Sequence, residues 1–219
     1  HLIRTARVFL KEEEQQAEAF APVYLEAAIG MQNYGRPTAL DTVEPVPVTL
    51  PGGMTFLARG IVDRVDRIHG PEADLFAVWD YKTGSSWKYK QADPFQQGRV
   101  IQHSLYLELV SRRLRDIVSP NARVAQFGYF FPNVKERGER RQWTPGELTE
   151  AGNILFNLCE LISTGTFLPT DQTSDCTFCD YREICGDVNA ITAASRQKLE
   201  NPLNDRLHPF RELRGYETS

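Results

Sequence analysis

Two acidic residues and a lysine on adjacent predicted strands constrain this chain more than any other feature. The first strand contains Gly60-Ile-Val-Asp63-Arg-Val-Asp66, and the second contains Val78-Trp-Asp80-Tyr-Lys82-Thr-Gly84. The segment 69–74 between them is rich in turn-forming residues, so the two strands are predicted to form a hairpin. Because side chains alternate along a strand, Asp80 and Lys82 point to one face and Tyr81 to the other. We expect Asp63 to join them if the register allows it.

These residue types together suit metal-assisted hydrolysis of a phosphodiester. A hard cation such as Mg²⁺ prefers oxygen ligands, so Asp63, Asp80 and the main-chain carbonyl of Tyr81 form a suitable half-shell. The metal would polarise the phosphate and lower the pKa of a bound water. Lys82 would orient that water or help to deprotonate it, and would offset charge on the phosphate oxygens. Because Asp-x-Lys is also common at solvated strand ends, the interpretation depends on the surrounding residues.

A helix is predicted within the segment 95–114, which lacks proline and has apolar residues at helical spacing. Gln102 and Tyr106 are four residues apart, so they lie on one face of that helix. An isolated pair of this kind is usually a surface glutamine and a tyrosine at the edge of the core. Because this pair comes after the acidic hairpin, we interpret Gln102 and Tyr106 as part of the same site as Asp80 and Lys82.

The combination of motifs resembles the RecB-like branch of the PD-(D/E)XK nuclease superfamily, which includes AddB-type helicase-nucleases and CRISPR-associated exonucleases. The resemblance rests on the Gly-x-x-Asp-Arg-x-Asp strand, the Asp-Tyr-Lys-Thr-Gly strand end and the Gln-x-x-x-Tyr pair. It implies that Asp63 and Asp80 bind Mg²⁺ or Mn²⁺ and that Lys82 is catalytic. It also implies that Gln102 and Tyr106 position DNA and support the site.

A fifth candidate lies upstream, where Pro22-Val-Tyr-Leu-Glu26 is similar to a family segment whose acid completes the metal site. The resemblance further implies an α/β fold of the α+β type, with a restriction-endonuclease-like core in which helices flank a mixed central sheet. The expected function is a DNA exonuclease that acts on ends or single strands in repair or recombination. DNA and a helicase domain or subunit are the expected partners.

Two alternatives remain open. One is a non-catalytic PD-(D/E)XK-like module that binds DNA ends or connects a helicase to its partners. It needs no metal, and the presence of both acids and the lysine speaks against it. The other is a zinc-binding interaction domain in which Asp-Tyr-Lys is incidental.

Three cysteines near the C-terminus form a second motif, at C-x2-C-x5-C spacing: Cys176, Cys179 and Cys185. Thiolates at such spacing bind Zn²⁺ or an iron–sulfur cluster, usually through four protein ligands. The remaining cysteine, Cys159, lies in an apolar helical run typical of a buried thiol. In the relatives, an upstream cysteine completes a four-iron cluster, and none precedes Cys159 here. We therefore expect a fragment of a longer protein, in which a partial site, zinc or free thiols are all possible.

The chain organisation agrees with one enzyme domain and a small appendage. We expect a nuclease core over 1–170, a cysteine appendage over 171–190 and an irregular tail over 191–219. Within the core, residues 4–28 are predicted to be one or two helices broken at Pro22. Thr144-Pro-Gly-Glu147 is predicted to cap a helix that reaches Ser163.

Charge is the property that argues most against a nucleic-acid partner. The formal net charge is −4, from 25 basic and 29 acidic residues, whereas DNA-binding domains are usually basic. Basic clusters at 112–115 and 135–141 nevertheless provide local positive patches, or ordinary solvated faces. The sequence has no signal-peptide pattern or long apolar run, so we expect a cytoplasmic protein.

Overall fold

The computed structural model describes residues 2–50, 52–72 and 74–216. The chain divides into two compact units, and the boundary between them in the sequence follows Ala151. The first unit begins with α1 (Leu2–Gln16), β1 (Phe20–Ile29), β2 (Val46–Thr49) and β3 (Thr55–Ala58). It continues with β4 (Gly60–Ile68), β5 (Leu75–Tyr81), α2 (Gln102–Ile117), β6 (Arg123–Phe131) and β7 (Glu139–Trp143). The second unit holds α3 (Ala151–Ser163, whose first residue belongs to the first unit), α4 (Arg182–Cys185), α5 (Val188–Glu200) and α6 (His208–Arg214).

A five-stranded mixed sheet in the order β1-β4-β5-β6-β7 organises the first unit, while β2 and β3 form a separate hairpin. The β5–β6 pair is parallel, and the other neighbours in the large sheet are antiparallel. A parallel connection needs a crossover, and α2 supplies it between β5 and β6. This arrangement confirms the predicted mixed α/β fold with helices flanking a central sheet.

One face of this sheet packs against α2. The buried side chains on this face of the sheet include Val78, Phe127 and Tyr129, and those of α2 include Leu107, Val110 and Leu114. A hydrogen bond from the main-chain N–H of Val124 to Ser111 Oγ, at 3.0 Å, also joins the helix to β6. The alternation along β5 therefore directs Asp80, which shares the parity of Val78, toward the α2 face.

The opposite face packs against α1 through an aromatic cluster. Ala77, Trp79 and Phe130 are buried there, with Phe9, Phe20, Ile68 and Tyr81 around them. Gly128 lies opposite Trp79 in the ladder, and a Cβ at Gly128 would overlap the indole ring. The glycine is therefore required by close packing.

Charged side chains are also buried on the α1 face. Arg64 donates from Nε and Nη2 to the two oxygens of Asp66, at 2.6 and 2.8 Å. Glu13 of α1 accepts from Arg64 at 2.5 Å and from Arg140 at 3.0 Å. The Arg140 guanidinium stacks 4.5 Å from the Trp79 ring centroid and 4.2 Å from that of Phe130. Asp66 of the Gly-x-x-Asp-Arg-x-Asp motif is thus part of a structural ion network that attaches α1 to the sheet.

The prediction of helix throughout residues 4–28 is wrong after Gln16. The segment 20–29 is β1, an edge strand paired with β4, and its register shifts between Pro22 and Tyr24. Proline is tolerated at edges and bulges because no ladder partner requires its missing N–H. Pairing with β4 therefore overrides the local helical pattern.

Two further helix boundaries differ from those predicted. The first turns expected from Phe95 are absent because Gln96, Gln97 and Gly98 all have positive φ, so α2 begins at Gln102. The capping box of Thr144 and Glu147 forms, but it caps a 3₁₀ turn over Pro145–Glu147, and α3 begins only at Ala151.

The prediction of an irregular C-terminal tail is also wrong for its described part. Asp187 caps α5 by accepting from the N–H groups of Asn189 and Ala190. Arg211 of α6 donates to the carbonyls of Asn201 and Asn204, at 3.1 and 3.0 Å. Pro209 lies in the first turn of α6, where its missing N–H has no cost, so the His-Pro pair starts a helix here. Residues 217–219 of the expected tail lie outside the described residues.

Candidate active site

Asp80 and Lys82 project from the end of β5 toward α2. Lys82 Nζ lies 2.5 Å from Asp80 Oδ2. Gln102, the first residue of α2, donates from Nε2 to Asp80 Oδ1 at 2.7 Å and accepts from Lys82 Nζ at 3.2 Å. One ion pair and two hydrogen bonds therefore join Asp80, Lys82 and the distant Gln102 into one closed group. Asp80 is only 4% exposed, whereas Lys82 lies at the solvent boundary.

Asp63 lies on the neighbouring strand and contacts the same segment of β5. Its Oδ2 accepts a hydrogen bond from the main-chain N–H of Tyr81 at 2.7 Å. The ladder pairs Arg64 with Trp79, and its next step places Asp63 opposite Asp80. The register condition set by the sequence is thus met, because Asp63 and Asp80 lie side by side.

Burial and neighbouring charges shift the pKa of the Asp80 carboxyl group. Burial raises its pKa most, and the negative charge of Asp63 raises it further. The ammonium of Lys82 and the hydrogen bond from Gln102 act in the opposite direction, and the net result is a raised pKa. The site therefore holds a carboxylate whose negative charge is poorly hydrated and depends on nearby cations.

Tyr106 lies one helical turn beyond Gln102 and reaches β4. Its hydroxyl donates to the main-chain carbonyl of Ile61 at 2.8 Å. A Cβ at Gly60 would lie 3.0 Å from the Tyr106 ring, so this glycine gives the ring space to approach the strand. Burial raises the pKa of Tyr106, which keeps the hydroxyl a neutral donor. Tyr106 therefore fixes α2 against the strand that carries Asp63.

Glu26 is less closely associated with this group. It is exposed on β1, with a positive φ of 52°, on the strand next to Asp63. Among the described residues, no group of three or more His, Cys, Asp or Glu side chains is placed to hold a metal ion. The structure therefore brings Asp63 and Asp80 together without the Glu26 carboxylate.

Tyr81 contributes to the site through its backbone. Its ring packs on the α1 face against Phe9, and its hydroxyl accepts from Arg64 at 3.3 Å. This position confirms that Tyr81 points away from Asp80 and Lys82.

Two tyrosines beside Lys82 were not identified from the sequence. The Lys82 ammonium lies 5.2 Å from the centroid of the Tyr129 ring, and the Tyr89 ring lies 4.2 Å from that of Tyr129. Burial is the main cause of the raised pKa of both hydroxyls. Parity along β6 could have placed Tyr129 on this face, but Tyr89 follows a loop whose path has no periodic signal.

The two carboxylates fit a hard divalent cation. Mg²⁺ is usually held by one or two carboxylates together with waters and substrate phosphates, so a pair of acids is a sufficient protein contribution. Asp63 and Asp80 supply oxygen donors, and the partly desolvated Asp80 favours a cation beside it. These are the two residues that would hold Mg²⁺ or Mn²⁺.

The cysteine motif does not form a comparable site. Cys179 and Cys185 are exposed, Cys176 and Cys159 are partly buried, and all four are free thiols. In the described part of the chain, these thiols belong to no group of three or more potential metal ligands. The arrangement therefore gives no support to the predicted iron–sulfur cluster or zinc ion.

A model of one protein family matches most of the chain. The family is described as the PD-(D/E)XK nuclease superfamily, and the match covers residues 1–186. None of the described helices has the length and apolar character needed to cross a membrane.

Several curated bacterial proteins are also similar, and each is named as one of the subunits of an ATP-dependent helicase/deoxyribonuclease. The protein from Symbiobacterium thermophilum is 33% identical over 125 residues, which is 57% of this chain and 10% of that protein. The protein from Clostridium perfringens is 27% identical over 140 residues, or 63% of this chain and 11% of that protein. The chain thus spans about a tenth of the length of these relatives.

Proposed function

Because the chain belongs to the PD-(D/E)XK nuclease superfamily, we propose that it is a divalent-metal-dependent deoxyribonuclease with its reaction centre at Asp63, Asp80 and Lys82. The main support is the closed group in which Lys82 and Gln102 both contact the buried Asp80 carboxylate. A lysine held against a desolvated acid is unusual at a merely solvated strand end.

The residues divide the work of phosphodiester hydrolysis. Asp63 and Asp80 would hold Mg²⁺ or Mn²⁺, which when bound supplies a polarised phosphate and a more acidic water. Lys82 binds a non-bridging phosphate oxygen or orients the attacking water, and its positive charge offsets the negative charge that develops during attack. Gln102 keeps the Asp80 carboxylate and the Lys82 ammonium in fixed orientations, which preserves the geometry of the site between turnovers.

We extend the proposal to an exonuclease that acts on DNA ends or single strands. The relatives are named as helicase/deoxyribonuclease subunits, which supports DNA as substrate and a helicase domain or subunit as partner. DNA repair or recombination in the cytoplasm is the corresponding cellular role. A non-catalytic DNA-end-binding module is the competing function, and it would retain the fold without needing Lys82.

The test is cleavage of end-labelled single-stranded and blunt duplex DNA with Mg²⁺, with Mn²⁺ or with EDTA. The native chain is compared with Lys82→Ala and with Lys11→Ala, which changes an exposed lysine of α1. We expect metal-dependent shortening from the labelled end, loss of at least a hundred-fold in rate for Lys82→Ala, and native activity for Lys11→Ala. Circular dichroism would verify that both variants fold.

Two results would contradict the proposed nuclease, and a third would contradict its extension to an exonuclease. Unchanged cleavage by Lys82→Ala would remove this site from the reaction. DNA binding by the native chain without cleavage in either metal would favour the end-binding module. Internal cuts in circular single-stranded DNA would replace the exonuclease with an endonuclease.

A further inference from the structure

Trp87 differs from the other two tryptophans in its environment. Trp79 and Trp143 are each 1% exposed, whereas Trp87 is 66% exposed. A tryptophan side chain carries a large apolar surface, and leaving it in water has a cost that burial would remove. Trp87 lies on the short 3₁₀ turn Ser86–Lys88, soon after Lys82 at the end of β5.

The segment that carries Trp87 is held in place by contacts both before and after this residue in the sequence. Ser86 Oγ lies 2.6 Å from a Glu136 oxygen and 2.5 Å from a Glu139 oxygen. On the other side, the main-chain carbonyl of Gln91 accepts from the indole N–H of Trp143 at 3.1 Å. The exposure of Trp87 is therefore that of a side chain held outward by a fixed turn.

This turn lies beside the candidate active site. Tyr89, two residues after Trp87, packs 4.2 Å from the Tyr129 ring, and Tyr129 in turn contacts the Lys82 ammonium. The charges of Lys82 and Asp80 both act on the Tyr89 hydroxyl, which shows how near the turn is to the reaction centre. The backbone turn that carries Trp87 therefore lies next to the candidate site through Tyr89.

The charge of the segment suits a polyanion. Residues 82–99 contain four basic residues and one acidic residue, in a chain whose net charge is −4. Lys88 Nζ lies 5.9 Å from the Trp87 ring centroid, and the Lys90 side chain is exposed. An aromatic platform beside lysines is the combination that binds single-stranded nucleic acid through base stacking and phosphate contacts.

We propose that Trp87 stacks on an unpaired base of the single-stranded DNA that enters the reaction centre, while Lys90 contacts its phosphates. This inference rests on the proposed function for its substrate class. Stacking needs a base with a free face, so the contact selects single strands over intact duplex. Removal of the platform should weaken binding roughly five- to 150-fold, the range that corresponds to base–aromatic stacking.

Intrinsic fluorescence gives a direct test, because Trp87 is the exposed tryptophan. Binding is measured in EDTA, so that no cleavage occurs, by titrating oligo(dT) into the native chain. In parallel, anisotropy of labelled oligo(dT) gives Kd for the native chain, Trp87→Phe, Trp87→Ala and Tyr34→Ala. Tyr34 is a matched control, since it is 89% exposed in the loop after β1.

We expect oligo(dT) to quench the native emission, and Trp87→Phe to abolish this quenching while keeping Kd close to native. Trp87→Ala should raise Kd by the stated factor, and Tyr34→Ala should leave it unchanged. An intact hairpin duplex should quench much less than oligo(dT). These results support the inference even if the native chain cleaves nothing in Mg²⁺ or Mn²⁺, in which case only the proposed nuclease activity fails.

Three results would overturn the inference. The first is oligo(dT) binding without quenching and with native affinity in Trp87→Ala, even if cleavage is confirmed. The second is no binding of oligo(dT) by the native chain. The third is equal loss of affinity in Trp87→Ala and Tyr34→Ala, which would indicate a non-specific contribution of exposed aromatic residues.

Discussion

Gln102 is the residue that connects the helix to both charged groups of the candidate site. Its amide donates to Asp80 and accepts from Lys82, so one side chain satisfies an anion and a cation together. A shorter or apolar side chain would leave both with a less defined geometry. The Gln-x-x-x-Tyr pair was predictable as a helical face, but this double contact was not, because it depends on where α2 crosses the sheet.

We predict that Gln102→Met lowers kcat/KM for DNA cleavage roughly ten- to a hundred-fold, since small displacements of reacting groups have effects of that size. The hydrogen bond from Gln102 lowers the Asp80 pKa, so its loss raises that pKa further. The acidic limb of the pH–rate profile should therefore move to higher pH. The profile is measured in Mn²⁺ beside Gln15→Met, an exposed change on α1 that should leave it unmoved.

His103 is a buried neutral imidazole that should make stability depend on pH. Nε2 lies 3.0 Å from the carbonyl of Pro94, and Nδ1 accepts from the N–H of Ser104 at 2.8 Å, so Nε2 carries the proton. Burial lowers its pKa from 6.5 to about 4. The unfolded chain therefore binds more protons between these values, and folding is favoured less as pH falls from 6.5 to 4.

We expect this one group to remove about 3 kcal/mol of stability across that interval. The free energy of unfolding, measured by urea denaturation at pH 7 and pH 4.5, should fall more for the native chain than for His103→Gln. The comparison isolates the imidazole from the carboxyl groups that titrate in the same range. Identical pH slopes for the two proteins would show that His103 is not buried in the neutral form.

At the level of elements, the central strands were predictable and the edges were not. The hairpin of β4 and β5 has a clear turn and alternating side chains, and the β6 segment is rich in aromatic and β-branched residues. The edge strand β1 contains Pro22 and helix-compatible residues, and it becomes a strand only through pairing with β4. Local pattern cannot report a partner that lies about forty residues away.

The close packing of Gly128 in β6 against Trp79 in β5 can be tested by a single substitution. We predict that Gly128→Ala lowers the free energy of unfolding by about 1–3 kcal/mol, because the new methyl group would overlap the Trp79 ring beneath Arg140. Gly70→Ala is the control, since nothing lies within 4 Å of a Cβ there, and its effect should stay within about 0.5 kcal/mol. Urea denaturation measures both, and equal stability of the two variants would contradict this packing.

On the scale of the whole molecule, global composition said less about the candidate sites than the local arrangement of residues did. The net charge of −4 argues against DNA, yet the segment after β5 concentrates positive charge beside the candidate site. The cysteine spacing indicated a metal cluster, but in the described chain the thiols do not gather into a ligand group. Spacing limits which ligands can meet, whereas the backbone path decides whether they do.

Metal binding should be visible as a change in the stability of the folded chain. A ligand that binds only the native state stabilises it by about 2.7 kcal/mol at a hundred times its Kd. We predict that Mn²⁺ raises the melting temperature of the native chain, that EDTA reverses the rise, and that Asp63→Asn abolishes it. Asp116→Asn, an exposed acid at the end of α2, is the matched control and should respond as the native chain does. A shift that persists in Asp63→Asn would place the metal elsewhere.

The alternation along β5 has a practical consequence for protein engineering. Asp80 lies on the face that carries the candidate site, while Trp79 and Tyr81 lie on the packed α1 face with its ion network. A variant library restricted to the α1 face can therefore search for heat tolerance while Asp63, Asp80 and Lys82 of the candidate site stay constant. The converse library, at the solvent boundary near Lys82, would change the candidate site and leave the α1 face as it is. The sheet thus separates a search for stability from a search for altered chemistry at the candidate site.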